Sequence, residues 1–397
     1  MVGRSQTSLG ASGCKLHKSL YGLPQASRCA QKKLRAVLTA DNACAPLKSD
    51  ECVYRTTDPA TARAYMGTHV DDLILTGDEA GITKVHKVVE DKFKVRVKRN
   101  PDVILSVQVE RDREKGWLKL HQEGYILDML HKLKMENCKT ASTPRDSGTA
   151  TAIMLLPYGE EHVIDYPEVR KEYQQLVGML IWLFKTRPDM LFTINLLSRF
   201  LRWPTPEHLR LAKRRPLQYL RGTADYGTTF LAGTGEWSLS GGSDADLGGD
   251  LRTSRSTVAH FTKVGEYGTL AAQSKLERKN CTATGQSETY GFEGLAKEIV
   301  WERNFLEEID EPPKEPTIGT CDNAGVILQS ANQINHGKAK HYRLAQGYIR
   351  DLKSRGVLQP KDINTEDNPA DIFTKALDKQ KFLKFRAMIM GPQSPPS

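Results

Sequence analysis

Glu236-Trp237-Ser238-Leu239-Ser240-Gly241-Gly242-Ser243-Asp244-Ala245-Asp246 is where the chain changes character. The residues before it read as mainly helical. From Glu236 onward the expected order is strand, strand, strand, helix, strand, helix, strand, helix. Residues 236–245, 257–264 and 269–272 read as strands, since each is β-branched, aromatic or alternating and is bounded by glycine or charge. Residues 287–307 form the clearest helix of the protein, because Glu288, Phe292, Leu295, Ile299 and Leu306 fall on one stripe at helical spacing. Residues 317–321 are a further strand. Strand side chains alternate between faces, so Asp244 and Asp246 point the same way, and periodicity does not choose between them.

Other acids stand at matching places along these elements. Glu288 heads the apolar stripe and so aims a carboxylate along the face that packs on the sheet; an acid in a first helical turn is also favoured by the helix dipole alone. Asp322 ends the strand 317–321 and precedes a helix, where acids also serve as caps. Asn368-Pro369-Ala370-Asp371 reads as an asparagine cap, a proline at the first helical position and an acid at the third, a sound helix start with no chemistry required.

Working back toward the N-terminus, residues 141–166 carry Thr, Ser, Pro and Gly without periodicity and read as a linker. An apolar helix follows over 173–184, then a second opened by Pro188, then the basic stretch 207–221. Pro216 should kink or end that last helix, because it removes a backbone donor and clashes with the preceding turn. Earlier, Gly67-Thr68-His69-Val70-Asp71-Asp72-Leu73-Ile74-Leu75-Thr76-Gly77 sets two adjacent acids between strand-like apolar flanks. Such a pair is either a solvated hairpin tip or, held at the mouth of a buried hairpin, a pair of Mg²⁺ ligands. With Leu73-Ile74-Leu75 following directly rather than glycine-containing turn residues, the second arrangement is the expectation.

Bulk properties narrow the field. A chain of 397 residues is too long for one ordinary domain. The net charge of +9 suits a partner made of phosphates, although a basic surface alone identifies none. Seven cysteines without a C-x-x-C pair suggest neither a zinc module nor a disulfide scaffold, and a reducing compartment fits best. The longest apolar run, residues 177–184, is far below the ~20 residues of a spanning helix, and the first residues carry no signal-peptide core. The expectation is an intracellular protein, cytoplasmic or nuclear, neither secreted nor in a membrane.

Several strings together resemble the Pol polyprotein of copia-type retrotransposons. His69-Val70-Asp71-Asp72 is similar to the YVDD box of that family's reverse transcriptase, and Leu20-Tyr21-Gly22-Leu23-Pro24-Gln25-Ala26-Ser27-Arg28 to its LYGLKQAPR element. Tyr173-Gln174-Gln175-Leu176-Val177-Gly178 with Thr186-Arg187-Pro188-Asp189, and Leu197-Ser198-Arg199-Phe200 with Tyr219-Leu220-Arg221-Gly222-Thr223, follow in family order. Residues 243–250, SDADLGGD, resemble SDADWAGD; 321–328, CDNAGVIL, resemble CDNQSAI; and 370–377, ADIFTKAL, resemble ADILTKPL. On the long helix Gln286-Ser287-Glu288-Thr289 stands for an E-x-E-Y string, and ungapped matching back from residues 297–301 puts the metal-binding acid on Glu288. The likeness runs from about Cys14 to about Phe385.

This resemblance implies an α/β chain: a partial reverse-transcriptase palm over 1–140, a linker and helical thumb or connection over 141–235, a ribonuclease H-like mixed five-stranded sheet with flanking helices over 236–390, and a tail over 391–397. It implies Asp244, Glu288, Asp322 and Asp371 as a catalytic set binding Mg²⁺ or Mn²⁺, and Asp71 and Asp72 as metal ligands of a polymerase remnant. The implied function is hydrolysis of RNA in RNA–DNA hybrids, with hybrid or template–primer and other Pol segments as partners. Family polymerases carry a further metal-binding aspartate upstream of the LYGLKQ element, and this chain begins after that point, so no polymerase activity is expected from it alone. His69 replaces a family tyrosine, Pro24 a lysine and Leu247 a tryptophan, and Leu105-Ser106-Val107 stands for leucine-glycine-isoleucine. His341 matches a basic family string but is expected to be an exposed helix histidine without a catalytic role. The alternative is a non-catalytic nucleic-acid-binding relic.

Overall fold

The structure is a computed structural model; it describes residues 3–6, 12–15, 23–159, 166–232, 237–278, 280–331 and 343–395. The chain divides into two compact units, Met1–Arg99 with Asn304–Pro312, and Asn100–Arg303 with Pro313–Ser397.

In the first unit β1 (Gly3–Gln6) pairs antiparallel with β2 (Ser12–Lys15). Helix α1 (Ala26–Thr39) is followed by β3 (Cys44–Pro46), β4 (Val53–Thr56), β5 (Ala64–His69) and β6 (Asp72–Gly77), an antiparallel sheet in chain order, and then by α2 (Glu79–Glu90). Asp78 starts α2, its carboxylate accepting from the Gly81 backbone N–H at 2.6 Å, which satisfies a donor left open at the helix end. Leu34 and Leu38 of α1, Val85 and Val89 of α2, and Tyr54, Ala64 and Met66 of the sheet form the core. The segment Asn304–Pro312 belongs here because the Glu308 carboxylate accepts from the backbone N–H of Lys48 (2.5 Å) and Ser49 (3.0 Å), and Arg55 donates to the Glu308 carbonyl (2.9 Å).

The second unit opens with β7 (Val103–Ile104), β8 (Val107–Asp112) and β9 (Trp117–His121). Helices α3 (Glu123–Lys132), α4 (Ser147–Met154), α5 (Pro167–Ile181), α6 (Leu191–Ser198) and α7 (Pro206–Arg221) follow, and β10 (Gly227–Leu231) returns to pair antiparallel with β9. Next come β11 (Leu239–Asp246), β12 (Thr257–Val264), β13 (Thr269–Leu276), α8 (Thr284–Glu308), β14 (Thr317–Cys321), α9 (Ala324–Ala331), α10 (Arg343–Ser354) and β15 (Leu358–Asp362). A 3₁₀ turn over Pro369–Phe373 and α11 (Lys379–Met390) end the fold. The five-stranded sheet has order β13-β12-β11-β14-β15, antiparallel on one side of β11 and parallel on the other. Phe292, Leu295 and Ile299 of α8 are buried against it, and Leu306 is half-buried. The fold is α/β, with a reverse-transcriptase-like strand and helix pattern followed by a ribonuclease H-like mixed sheet with flanking helices. No helix among the described residues is long and apolar enough to cross a membrane.

The structure departs from the sequence reading in a few places. The stretch 141–166 contains α4, whose Ala150 and Ile153 are buried; Asp146 starts that helix by accepting from the Thr149 N–H at 2.8 Å. Pro216 lies inside α7 without ending it, because Leu217, Tyr219 and Leu220 in the following turn are fully buried and their packing outweighs one missing hydrogen bond. At Asn368 the expected helix is only the 3₁₀ turn.

Two fully buried arginines in this unit have opposite surroundings. Arg187 is bidentate to Asp189 (3.0 and 2.8 Å) and donates to the Thr223 carbonyl (2.8 Å) and hydroxyl (2.9 Å). The Tyr219 hydroxyl donates to the same Asp189 at 2.5 Å, so the motifs around 186–189 and 219–223 meet in one satisfied network. Arg145 is equally buried, yet none of its three nitrogens has a hydrogen-bond partner among the described residues. Burial pushes its guanidinium down to about 10, an uncommon position for arginine. A buried charge without hydrogen bonds costs several kcal/mol, offset here only by Tyr173 and by the Asp146 charge. Arg145→Met should therefore stabilise the protein by on the order of 2–4 kcal/mol, read as a higher midpoint in denaturant melts. A midpoint unchanged or lowered would show that the guanidinium is compensated.

Candidate metal centre

Strand β11 is the centre of the five-stranded sheet, and Asp244 sits near its C-terminal end, opposite Ala259 of β12. On the other side β14 runs parallel, Gly242 against Thr320, so Asp322 emerges just past Cys321 at the same sheet edge. Helix α8 crosses nearby: a Cβ at Gly291 would lie 3.2 Å from the Asp244 carbonyl oxygen, and that close approach places Glu288, one turn earlier, over the strand ends. Asp371 enters from the 3₁₀ turn. Asn368 fixes that turn twice, its amide donating to the Ser243 carbonyl (3.0 Å) and its side-chain oxygen accepting from the Ala370 N–H (3.2 Å).

These elements bring the acids together. Asp244, Asp322 and Asp371 each offer an oxygen within 4.8 Å of the others, and Glu288, Cys321 and Asp322 form a second such group that shares Asp322. Asp244, Glu288 and Asp371 are buried, and Asp322 is half-buried. Asp246 belongs to neither group among the described residues; its carboxylate lies against Gly249, where a Cβ would meet Oδ2 at 1.8 Å.

Burial and crowding shift the carboxyls. Burial first, then the Asp244 and Asp322 charges, pushes Glu288 up to about 9, while a contact from Cys321 Sγ at 3.7 Å draws it back. Burial raises Asp244 to about 7; the Lys375 ammonium and the Thr374 hydroxyl, which donates to Oδ2, oppose the rise, and Asp371 and Asp322 add to it. Cations already stand at the cluster. Lys375 Nζ lies 2.8 Å from Asp371 Oδ1 and 3.8 Å from Asp244 Oδ2, and Lys381 Nζ lies 3.0 Å from Asp371 Oδ2.

Asn368, Thr374, Lys375, Lys381 and Cys321 were absent from the expected site. Lys375 carried a readable signal, since it follows Asp371 at i+4, the spacing that faces two side chains on one turn of helix. Lys381 carried none. Asp250, the last acid of the 243–250 string, is buried and accepts from Arg199 (3.0 Å) and from the backbone and hydroxyl of Thr253 (2.9 and 2.8 Å), so it anchors the loop after β11.

Asp71 and Asp72 are placed differently. They lie at a two-residue turn where His69 faces Asp72, both are exposed, and neither joins a metal-capable group among the described residues. The expected buried mouth is not formed: Val70 takes a φ of +53°, which closes the turn without glycine and leaves the acids at its tip. Leu20, Tyr21, Gly22 and His341 lie outside the described residues.

The raised carboxyls have a consequence for stability. A carboxyl that binds its proton more tightly in the folded chain favours folding most below its unfolded value, 4.5 for Glu288, and this contribution is lost as pH rises toward about 9. Glu288→Gln should therefore raise the melting temperature of the metal-free protein at pH ~8, by a gain on the order of a few kcal/mol, and flatten its dependence on pH. A variant melting no higher than wild type there would show that the Glu288 charge is not strained.

Comparison with known proteins agrees with this layout. The family model described as reverse transcriptase (RNA-dependent DNA polymerase) matches residues 3–147. The Retrovirus-related Pol polyprotein from transposon TNT 1-94 of Nicotiana tabacum is 32% identical over 93% of this chain and 27% of its own length. Those from transposons RE1 and RE2 of Arabidopsis thaliana are 31% and 30% identical, each over 97% of this chain and 25% of their own length. The chain thus spans about a quarter of the length of these relatives. With a reverse-transcriptase match, plant Pol similarity along almost all of the chain and a ribonuclease H-like sheet after it, the chain belongs to the Pol polyproteins of copia-type retrotransposons.

Proposed function

We propose that residues 236–390 act as a ribonuclease H domain that hydrolyses the RNA strand of RNA–DNA hybrids, with Asp244, Glu288, Asp322 and Asp371 holding Mg²⁺ or Mn²⁺. The observation that carries this reading is the convergence of acids from β11, α8, the end of β14 and the 3₁₀ turn into two groups joined by Asp322. Caps and dipole partners explain each acid singly and require no convergence. The donors fit the ions, because hard divalent cations take carboxylate oxygens and leave positions for water and phosphate. Bound there, a pair of such ions would make water a better nucleophile and offset charge on the leaving 3′ oxygen. The chain's part is to hold the carboxylates in place: Asn368 fixes Asp371 to β11, Thr374 orients Asp244, and the sheet sets Asp244 beside Asp322. The net charge of +9 suits the phosphates, and an RNA strand is told from DNA by its 2′-hydroxyls. Residues 1–140 then correspond to the palm and 141–235 to the thumb or connection, acting inside the cell beside other Pol segments.

A non-catalytic nucleic-acid-binding relic is the second reading, favoured by the ammonium groups already seated on Asp371. Asp322→Asn separates the two. The variant should lose at least ~10²-fold in hybrid cleavage with Mg²⁺ while keeping wild-type hybrid affinity and its steep weakening with salt. Wild-type protein that binds hybrid but never cuts it with either metal would leave the relic standing.

For the first unit, Asp71 and Asp72 are two exposed carboxylates with no third ligand near them among the described residues, and a two-metal site needs more. This chain should extend no primer on an RNA template. Template-dependent extension that disappears in Asp71→Asn, Asp72→Asn would overturn that expectation.

A further inference from the structure

Resting on the metal-centre reading above, we propose that Lys375 is a displaceable counter-cation: its ammonium stands at the acid cluster and competes with a divalent ion for the carboxylates. Once displaced, it is left at the rim, where it meets a phosphate of the bound nucleic acid. Lys375 Nζ touches both Asp371 (2.8 Å) and Asp244 (3.8 Å), so one positive charge bridges two of the proposed ligands. Its side chain remains 36% exposed, while the two carboxylates are almost wholly buried, so the charge reaches them from the solvent side.

The two lysines at the cluster are held differently. Lys381 is 18% exposed and also approaches the Glu366 carboxylate and the Thr365 carbonyl, each at 3.4 Å, so contacts outside the cluster fix it. The Lys375 ammonium pairs with Asp371 and Asp244, and the nearby Asp246 charge also acts on it from beside the cluster. Its backbone is fixed, the N–H donating to the Asp371 carbonyl at 3.2 Å, but the flexible four-carbon stem lets the ammonium leave without moving the turn. A cation that neutralises crowded carboxylates lets them gather before metal arrives, and the same attraction opposes metal entry.

The experiment measures Mn²⁺ alone, by the electron-spin resonance of free Mn²⁺, with wild type, Lys375→Met, Lys375→Gln and Asp322→Asn, each checked for an unchanged circular dichroism spectrum. Removing the competitor should tighten Mn²⁺ binding by about ten-fold in Lys375→Met and in Lys375→Gln. With Mn²⁺ saturating, the same variants should require more hybrid for half-maximal cleavage, and Lys375→Arg should restore hybrid affinity. A lysine that merely supports the fold would not tighten metal binding when removed. Mn²⁺ binding by wild type that is unchanged or weakened in both Lys375 variants would overturn the proposal while leaving the metal centre intact. Wild-type protein that binds no more Mn²⁺ than Asp322→Asn would instead sink the metal-centre reading, and this proposal with it.

Discussion

Carboxylates drawn from separate elements cannot share a few ångströms of half-buried space without compensation, and much of the second unit is arranged around that constraint. Burial is the largest cause that raises Glu288 and Asp244 above their ordinary range, and neighbouring acids add to it, Asp244 and Asp322 at Glu288, Asp371 and Asp322 at Asp244. The fold tolerates this because the scaffold on either side is over-determined. β11 is paired along its whole length with β12, α8 buries Phe292, Leu295 and Ile299 beneath it, and Asn368 ties the turn bearing Asp371 to the strand bearing Asp244. Lysine ammonium groups bring positive charge to the cluster, Lys375 to Asp371 and Asp244 and Lys381 to Asp371. Packing elsewhere thus maintains a locally unfavourable arrangement, as a preorganised cation site requires.

The helical part of the unit follows the same economy of charge with a different outcome. Arg187 and Asp189 lie wholly out of water, and four of the five guanidinium N–H groups and both carboxylate oxygens are engaged within the pair and with Thr223 and Tyr219. That network ties the end of α7 to the turn before α6. Arg145 shows the contrary case: the same residue type, equally buried, without a hydrogen-bond partner among the described residues, though the Asp146 charge acts on it. Desolvation is costly in both places, and only the first has geometry that offsets it.

The sheet edge and the hairpin tip show what surroundings do to similar residues. Asp71 and Asp72 are as adjacent as two acids can be, yet they are exposed on a two-residue turn. Asp244, Asp322 and Asp371 are far apart in sequence, yet their oxygens come within 4.8 Å. Shared chemistry depends on burial and convergence, neither of which sequence adjacency provides.

What the sequence by itself determined is whatever local periodicity and turn chemistry encode. The strands Thr257–Val264 and Thr317–Cys321 were legible to the residue, and the stripe on α8 and the order of elements after Glu236 were legible in outline, because burial on one face leaves a repeat that can be read along the chain. The motif strings also named Asp244, Glu288, Asp322 and Asp371, the acids the fold brings together. Tertiary structure decided the rest. Asp244 rather than Asp246 joins the cluster because the Asp246 carboxylate is turned against Gly249, and strand periodicity puts both on one face. Helix α4 and the run of α7 past Pro216 arise from packing energies that outweigh local propensity. Lys381 reaches Asp371 only because α11 folds back beside the 3₁₀ turn, and such a long-range electrostatic contact leaves no period, cap or spacing in the chain from which it could be read.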